Sequence, residues 1–205
     1  MKSLVSGLYA ITPDEANTDA LLKKVEAALQ GGANVLQYRN KAADYKLKTQ
    51  QVRAILPLCR QYNVPLIIND SVELCLMLDA DGVHLGADDS KSADVRAKLG
   101  NSKILGASCY NQFDLAVQAQ QAGADYVAFG ACFASHTKPN APVAGLDLFT
   151  RAKLELSVPV VGIGGVTSQN APQLIKAGTD AIAVINAIFN APDVKSAARQ
   201  FSNLF

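Results

Sequence analysis

Val35-Leu36-Gln37-Tyr38-Arg39-Asn40-Lys41 starts apolar and ends polar and charged, with no Gly or Pro inside it. In an extended backbone alternate side chains share a face, so Gln37, Arg39 and Lys41 point the same way. That face presents an amide, a guanidinium fork and an ammonium point charge, and the two cations suit phosphate oxygens. Taken alone, the stretch reads as an exposed edge strand with solvated charges. The surrounding sequence changes that reading.

Short β-branched runs alternate with helical patterns on both sides of it. Upstream, Gly7 to Thr12 reads as a first strand, and a helix from about Ala20 to Gln30 carries Leu21, Leu22, Val25, Ala28 and Leu29 at helical spacing. Gly31-Gly32 stops that helix. Downstream, Tyr45 to Tyr62 is amphipathic, with Pro57 expected to kink or divide it. Strands follow at Pro65 to Asp70, Gly82 to Gly86, Lys103 to Ser108, Tyr126 to Gly130, Val158 to Ile163 and Ala181 to Ile185. Helices separate them at Val72–Leu78, Ser92–Leu99, Phe113–Ala122, Leu146–Leu154 and Gln169–Ala177, and a last helix spans about Val194–Ser202. The phrases Gly123-Ala124-Asp125-Tyr126-Val127 and Gly178-Thr179-Asp180-Ala181-Ile182 repeat one helix-stop-strand junction. Strands this apolar read as buried on both faces. A doubly wound open sheet is the alternative, but eight β–α units in 205 residues fit a compact α/β fold, a single (β/α)8 TIM barrel over residues 1–205.

Composition excludes several roles. Charged residues are 18% and the net charge is +1, so no basic excess points to nucleic acid. With no Trp and few aromatics, a base-stacking surface is not expected. No apolar run is long enough to span a membrane, and Met1-Lys2-Ser3-Leu4 leads into a strand without a signal-peptide core. Cys59, Cys75, Cys109 and Cys132 form no CxxC pair, which suggests reduced thiols in a cytoplasmic protein, with Cys59 and Cys75 in the core. Whether copies associate as a homo-oligomer is not legible.

In such a barrel, functional groups sit at the carboxyl ends of the strands. The unusual polar residues fall there: Arg39 and Lys41, Asn69-Asp70, Asp88-Asp89, Ser108, the loop residues Ser135, Thr137 and Lys138, and Gly164-Gly165. Each has a plain alternative. Asn69-Asp70 before Ser71 reads as a helix cap, and so does Asp88-Asp89-Ser90. Gly164-Gly165 reads as a tight turn, or as free N–H groups at a helix start suited to phosphate. Their joint placement on one rim favours a site. Arg39, Lys41 and Lys138 supply positive charge, and Asp70 and Asp89 are hard oxygen ligands of the kind Mg²⁺ takes alongside substrate phosphates. The ligand implied is a pyrophosphate-bearing small molecule. No Ser-His-Asp or Cys-His constellation is visible. His84, inside a strand, reads as a packed core histidine, and His136 as a loop residue pointing to solvent.

These motifs resemble the thiamine phosphate synthase family over nearly the whole chain. The resemblance rests on Gln37 to Lys41, Asn69-Asp70, Asp81-Gly82-Val83-His84-Leu85-Gly86 with Asp89, and Leu105-Gly106-Ala107-Ser108. It continues through Gly123 to Gly130, Thr137-Lys138-Pro139 and Gly162-Ile163-Gly164-Gly165-Val166. It implies an enzyme joining a hydroxymethylpyrimidine diphosphate to a hydroxyethylthiazole phosphate by a dissociative, Mg²⁺-assisted reaction that releases pyrophosphate. It implies that Gln37, Arg39, Lys41, Asn69, Ser108 and Lys138 hold the pyrimidine diphosphate. It assigns Asp70 and Asp89 to the metal, and Ser135, Thr137, Gly165, Ile185 and Asn186 to the thiazole phosphate; Gly164 joins that set through its place in the glycine pair. Four places depart from the commonest pattern: Ser135 for Thr, Cys109-Tyr110 for a small residue plus His, Asn186 for Ser, and Ala87 for Gln. The related thiazole tautomerase branch, an isomerase, carries a His where this chain has Tyr110. A non-catalytic phosphate-sensing barrel would have no need of the paired acids.

Overall fold

The computed structural model describes residues 5–86, 92–133 and 144–205. Strands β1 (Gly7–Ile11), β2 (Val35–Tyr38), β3 (Leu66–Asn69), β4 (Gly82–Leu85), β5 (Ile104–Tyr110), β6 (Tyr126–Phe129), β7 (Val160–Ile163) and β8 (Ala181–Val184) alternate with helices. The helices are α1 (Thr18–Gln30), α2 (Tyr45–Gln61), α3 (Val72–Leu78), α4 (Ser92–Leu99), α5 (Phe113–Gln121), α6 (Leu146–Glu155), α7 (Ala171–Lys176), α8 (Asn186–Phe189) and α9 (Val194–Ser202). Every strand is parallel to its neighbours in chain order, and β1 pairs with β8 through Gly7 opposite Ala181 and Tyr9 opposite Ala183. The barrel is therefore closed, and the open-sheet alternative is excluded.

Alternation along the strands sorts side chains into two layers. Tyr9, Val35, Ile67, Ile104, Tyr126, Val161 and Ala181 pack together inside the barrel. Leu8, Leu36, Leu66, Val83, Leu105 and Val127 face outward and pack with Leu21 and Val25 of α1 and Val52 and Ile55 of α2. Cys59, Cys75, Cys109 and Cys132 are all free and buried; burial raises the thiols of Cys59, Cys109 and Cys132 to about 12 and that of Cys75 to about 11.

Three details differ from the sequence reading. Pro57 leaves α2 undivided, because it and Arg53, four residues earlier, both face solvent. The helix after β7 starts at Ala171, so Gly164-Gly165 is not a helix start. A short helix, α8, follows β8 directly, too brief to show a period.

The repeated Gly-x-Asp junction has a wider role than its two copies suggest. Asn34, Asp81, Asp125 and Asp180 each precede an even-numbered strand and each grip the start of the strand before. Their side-chain oxygens accept from the N–H groups of Leu8 (3.1 Å), Leu66 (2.8 Å), Leu105 (2.7 Å) and Val160 (2.9 Å). Their own N–H groups donate back to the carbonyls of the same four residues at 2.7–3.0 Å. This double bond pattern fixes strand register at the end of the barrel opposite the rim. Closure is reinforced where α9 lies on the end of α1: Ser202 Oγ donates to Gly31 O at 2.9 Å, and a Cβ on Gly31 would meet Ala198 Cβ at 2.5 Å.

Val160 is buried, so removing the acceptor at Asp180 strands its N–H. Asp180→Ala is expected to lower stability by about 1–3 kcal/mol in denaturant unfolding, while Asp180→Asn, which keeps an acceptor, loses less.

Candidate active site

The residue types that carry charge or hydrogen-bonding capacity gather at the carboxyl ends of β2, β3, β5, β7 and β8. Gln37 is inside the barrel and 3% exposed, Arg39 is half-buried, and Lys41 is exposed. The turn that carries them is tied to the end of β1. Thr12 Oγ1 donates to Arg39 O at 2.9 Å and accepts from Arg39 N at 2.8 Å. Asp14 Oδ1 accepts from Lys41 N at 2.7 Å and from Arg39 Nη1 at 3.4 Å. Below them the buried Asn40 donates to Glu15 O at 2.8 Å and to Gln51 Oε1 at 3.1 Å. Nothing in the local sequence pattern links Thr12, Asp14 or Gln51 to Arg39, so this tie is visible only in the structure. The strand itself ends at Tyr38, so this turn, not strand alternation, aims Arg39 and Lys41.

Asp70 follows β3 in a left-handed conformation, φ 62°, which a non-glycine residue seldom adopts and which clusters at functional sites. Its N–H donates to His84 O at 2.9 Å across to β4. Its Oδ2 accepts from Asn69 Nδ2 at 2.6 Å and lies 4.0 Å from Lys41 Nζ. Neither Asn69 nor Asp70 caps α3: the cap is Ser71, whose Oγ accepts from Leu74 N at 3.2 Å. The cap reading of Asp70 is therefore excluded, and its exposed carboxylate faces the rim beside an amide and an ammonium.

Ser108 sits two residues before the end of β5, which runs on to Tyr110, and is half-buried with its Oγ 2.9 Å from His84 Nε2. The ladder to β6 slips between Ser108 and Tyr110, and Tyr110, the last residue of β5, pairs with Phe129 at φ 50° and is 45% exposed. His84 is buried, as its place in a strand predicts, but both ring nitrogens are bonded: Nδ1 lies 2.9 Å from the Tyr126 hydroxyl. Tyr126 in turn lies 2.7 Å from the Tyr9 hydroxyl, which accepts from Gln37 Nε2 at 2.9 Å. Burial pushes both phenols well above their ordinary range, so they remain protonated.

At β7, Gly164 and Gly165 have φ of 97° and 66°, a run that favours glycine at both places. A Cβ on Gly164 would also come within 2.9 Å of Ala131 Cα. Phe133 N donates to Gly164 O at 3.0 Å, so the chain leaving β6 runs against this turn. Ile185, half-buried, and Asn186, exposed, lie just past the neighbouring β8. Asp89, Ser135, Thr137 and Lys138, with Ala87, Asp88 and His136, lie outside the described residues. Among the described residues no three acids, histidines or cysteines gather as a metal site. No described helix is long and apolar enough to cross a membrane.

The fold and rim define a (β/α)8 barrel with cations, amides and a carboxylate converging at the strand ends. The family described as thiamine monophosphate synthase matches residues 8–188. The thiamine-phosphate synthase of Methylobacillus flagellatus is 56% identical over 98% of this chain and 96% of its own, and that of Nitrosomonas eutropha 51% identical over 98% and 95%. A solved structure of thiamine phosphate pyrophosphorylase from Pyrococcus furiosus superposes with a TM-score of 0.87 at 33% identity, covering 97% of this chain and 94% of that one. The chain belongs to the thiamine monophosphate synthase family.

Because Ser71 makes the cap, Ser71→Ala should cost about 1 kcal/mol of stability. Asp70→Asn should leave the melting temperature nearly unchanged, since Asn tolerates the left-handed backbone as well as Asp. Thermal unfolding of the two variants side by side checks this; equal losses would return Asp70 to a structural role.

Proposed function

We propose that this rim joins 4-amino-2-methyl-5-hydroxymethylpyrimidine diphosphate to 4-methyl-5-(2-hydroxyethyl)thiazole phosphate, giving thiamine phosphate and pyrophosphate. The observation that carries the reading is the convergence of Gln37, Arg39, Lys41, Asn69, Asp70 and Ser108 from three strand ends in a chain of this family. Gln37 and Asn69 offer amides to the heterocycle and its diphosphate. Arg39, Lys41, Ser108 and Lys138 meet the diphosphate oxygens. Ser135, Thr137, Gly164, Gly165, Ile185 and Asn186 receive the thiazole phosphate from the loops after the sixth, seventh and eighth strands, a frequent place for phosphate in this fold.

The reaction breaks the bond between the pyrimidine methylene carbon and the diphosphate oxygen. The oxygen keeps the electron pair, a pyrimidine-methyl cation remains, and the thiazole nitrogen donates its lone pair to that carbon. The chain's work is to neutralise charge as it builds on the departing oxygens, the largest single catalytic effect in many enzymes. Among the described residues Arg39 pairs with Asp14 at 3.4 Å, a long contact that a diphosphate can replace. A general base is not required, which agrees with the His84 ring being engaged at both nitrogens.

Asp70 fits a hard cation: it is an exposed carboxylate on the rim, and α3 does not need it as a cap. Asp70 and Asp89 would hold Mg²⁺ jointly with diphosphate oxygens and water. When bound, the ion supplies positive charge to the leaving diphosphate. Small-molecule substrates and four buried free thiols support a cytoplasmic enzyme.

Arg39→Ala and Lys138→Ala should each lower kcat about 10²–10³-fold, or about 2.7–4 kcal/mol, with the melting temperature retained. Wild-type turnover in a folded variant removes that residue from the site. In calorimetric titration, pyrophosphate should tighten Mg²⁺ binding to the wild type but not to Asp70→Asn or Asp89→Asn, because metal and diphosphate supply ligands for each other. Mg²⁺ binding indifferent to pyrophosphate, with normal turnover in both variants, would remove the metal assignment.

A further inference from the structure

Four hydrogen bonds cross the barrel interior without a break. Gln37 Nε2 donates to the Tyr9 hydroxyl (2.9 Å), and Tyr9 meets the Tyr126 hydroxyl (2.7 Å). Tyr126 meets His84 Nδ1 (2.9 Å), and His84 Nε2 meets Ser108 Oγ (2.9 Å). The two tyrosines are 0–1% exposed. Tyr126 reaches the barrel axis only because residue 106 on the paired strand is glycine: a Cβ there would fall 2.1 Å from Tyr126 Cζ. None of this is needed to fill an apolar core, where phenylalanine would do as well. Its two ends are the residues assigned above to the substrate.

We infer that Tyr9 and Tyr126 are positioning residues forming a relay whose direction couples the heterocycle seen by Gln37 to the anion seen by Ser108. The inference rests on the preceding reading of Gln37 and Ser108 as substrate contacts. Each phenol has one proton, and a neutral imidazole has one N–H. If the Gln37 amide donates to Tyr9, then Tyr9 donates to Tyr126 and Tyr126 donates to Nδ1. His84 Nε2–H then donates to Ser108 Oγ. The serine proton is left for the ligand, and Gln37 presents its carbonyl oxygen. If the amide turns over, every bond reverses. Ser108 then spends its proton on His84 and offers only lone pairs, while Gln37 presents N–H groups. The hydroxyls keep their protons and only turn, whereas His84 changes tautomer: one proton leaves Nε2 for water and one is taken from water at Nδ1.

The consequence is selectivity. A heterocycle with an exocyclic amino group needs an acceptor from Gln37, which leaves Ser108 as a donor to the diphosphate. A heterocycle with an oxo group at that place needs a donor from Gln37, which turns Ser108's lone pairs toward the anion. The site therefore rejects the oxo analogue at its phosphate end, although Ser108 never touches the ring.

The test measures pyrophosphate affinity by calorimetry, with Mg²⁺ present, alone and with saturating 4-amino-2-methyl-5-hydroxymethylpyrimidine or its 4-oxo analogue. In the wild type the aminopyrimidine should tighten pyrophosphate within the usual coupling range, about 5–150-fold, and the oxo analogue should not. In Tyr126→Phe and in Tyr9→Phe, each checked for folding by circular dichroism, the factor should fall to near one. Pyrophosphate binding alone should be kept, which a merely structural role would not produce. Coupling that persists in either folded variant, or that is equal for both heterocycles in the wild type, overturns the relay. The wild-type comparison decides the matter even if both variants fail to fold. Absence of pyrophosphate binding in the wild type instead overturns the proposed function, and the relay with it.

Discussion

Eight parallel strands that follow one another around a closed barrel must all present their carboxyl ends on one side. Everything functional about this chain follows from that constraint. Residues as distant as Gln37, Asp70 and Ser108 become neighbours of one opening without any local sequence relation. The opposite end answers a different need. There Asn34, Asp81, Asp125 and Asp180 pin the start of one strand to the next, each with two bonds, and Asp180 also pairs with Lys153 at the surface. Stability and reactivity are thus separated along the barrel axis.

The interior between these ends is not uniformly apolar. Tyr9, Gln37, Tyr126 and His84 are buried polar groups, and a buried polar group is costly unless bonded. Here each satisfies the next, so the cost is met only while the line is whole. That makes the line a source of specificity as well as of strength. The turn at Arg39 and Lys41 shows the same economy: Thr12 and Asp14 hold its backbone. The left-handed Asp70, tied by its N–H to His84, is a third preset element.

The barrel was legible because its signals are local and repeated: β-branched runs and glycine stops recur at the spacing of one β–α unit, and the Gly-x-Asp junction at the spacing of two. The rim residues were legible because charged side chains at the end of an apolar strand are unusual there. What sequence did not show is long-range. Tyr9 and Tyr126 are 117 positions apart, and only the closed barrel brings their hydroxyls together. Arg39 and Asp14 are 25 apart, and nothing in the first loop marks Asp14 as their tie. The cap of α3 was ambiguous because Asn69, Asp70 and Ser71 are all good caps in a row, and only backbone geometry selects Ser71. A paired glycine suggested a helix start where Gly164-Gly165 instead forms a turn well ahead of Ala171.

The central claim is that two phosphorylated heterocycles are joined at this rim with loss of pyrophosphate. Phosphorus NMR of the purified protein mixed with both substrates and Mg²⁺ tests it most directly. The account predicts that the pyrimidine diphosphate and thiazole phosphate signals fall together while inorganic pyrophosphate and thiamine phosphate rise in equal amounts. Unchanged spectra, or release of orthophosphate with the thiazole phosphate left intact, would contradict it.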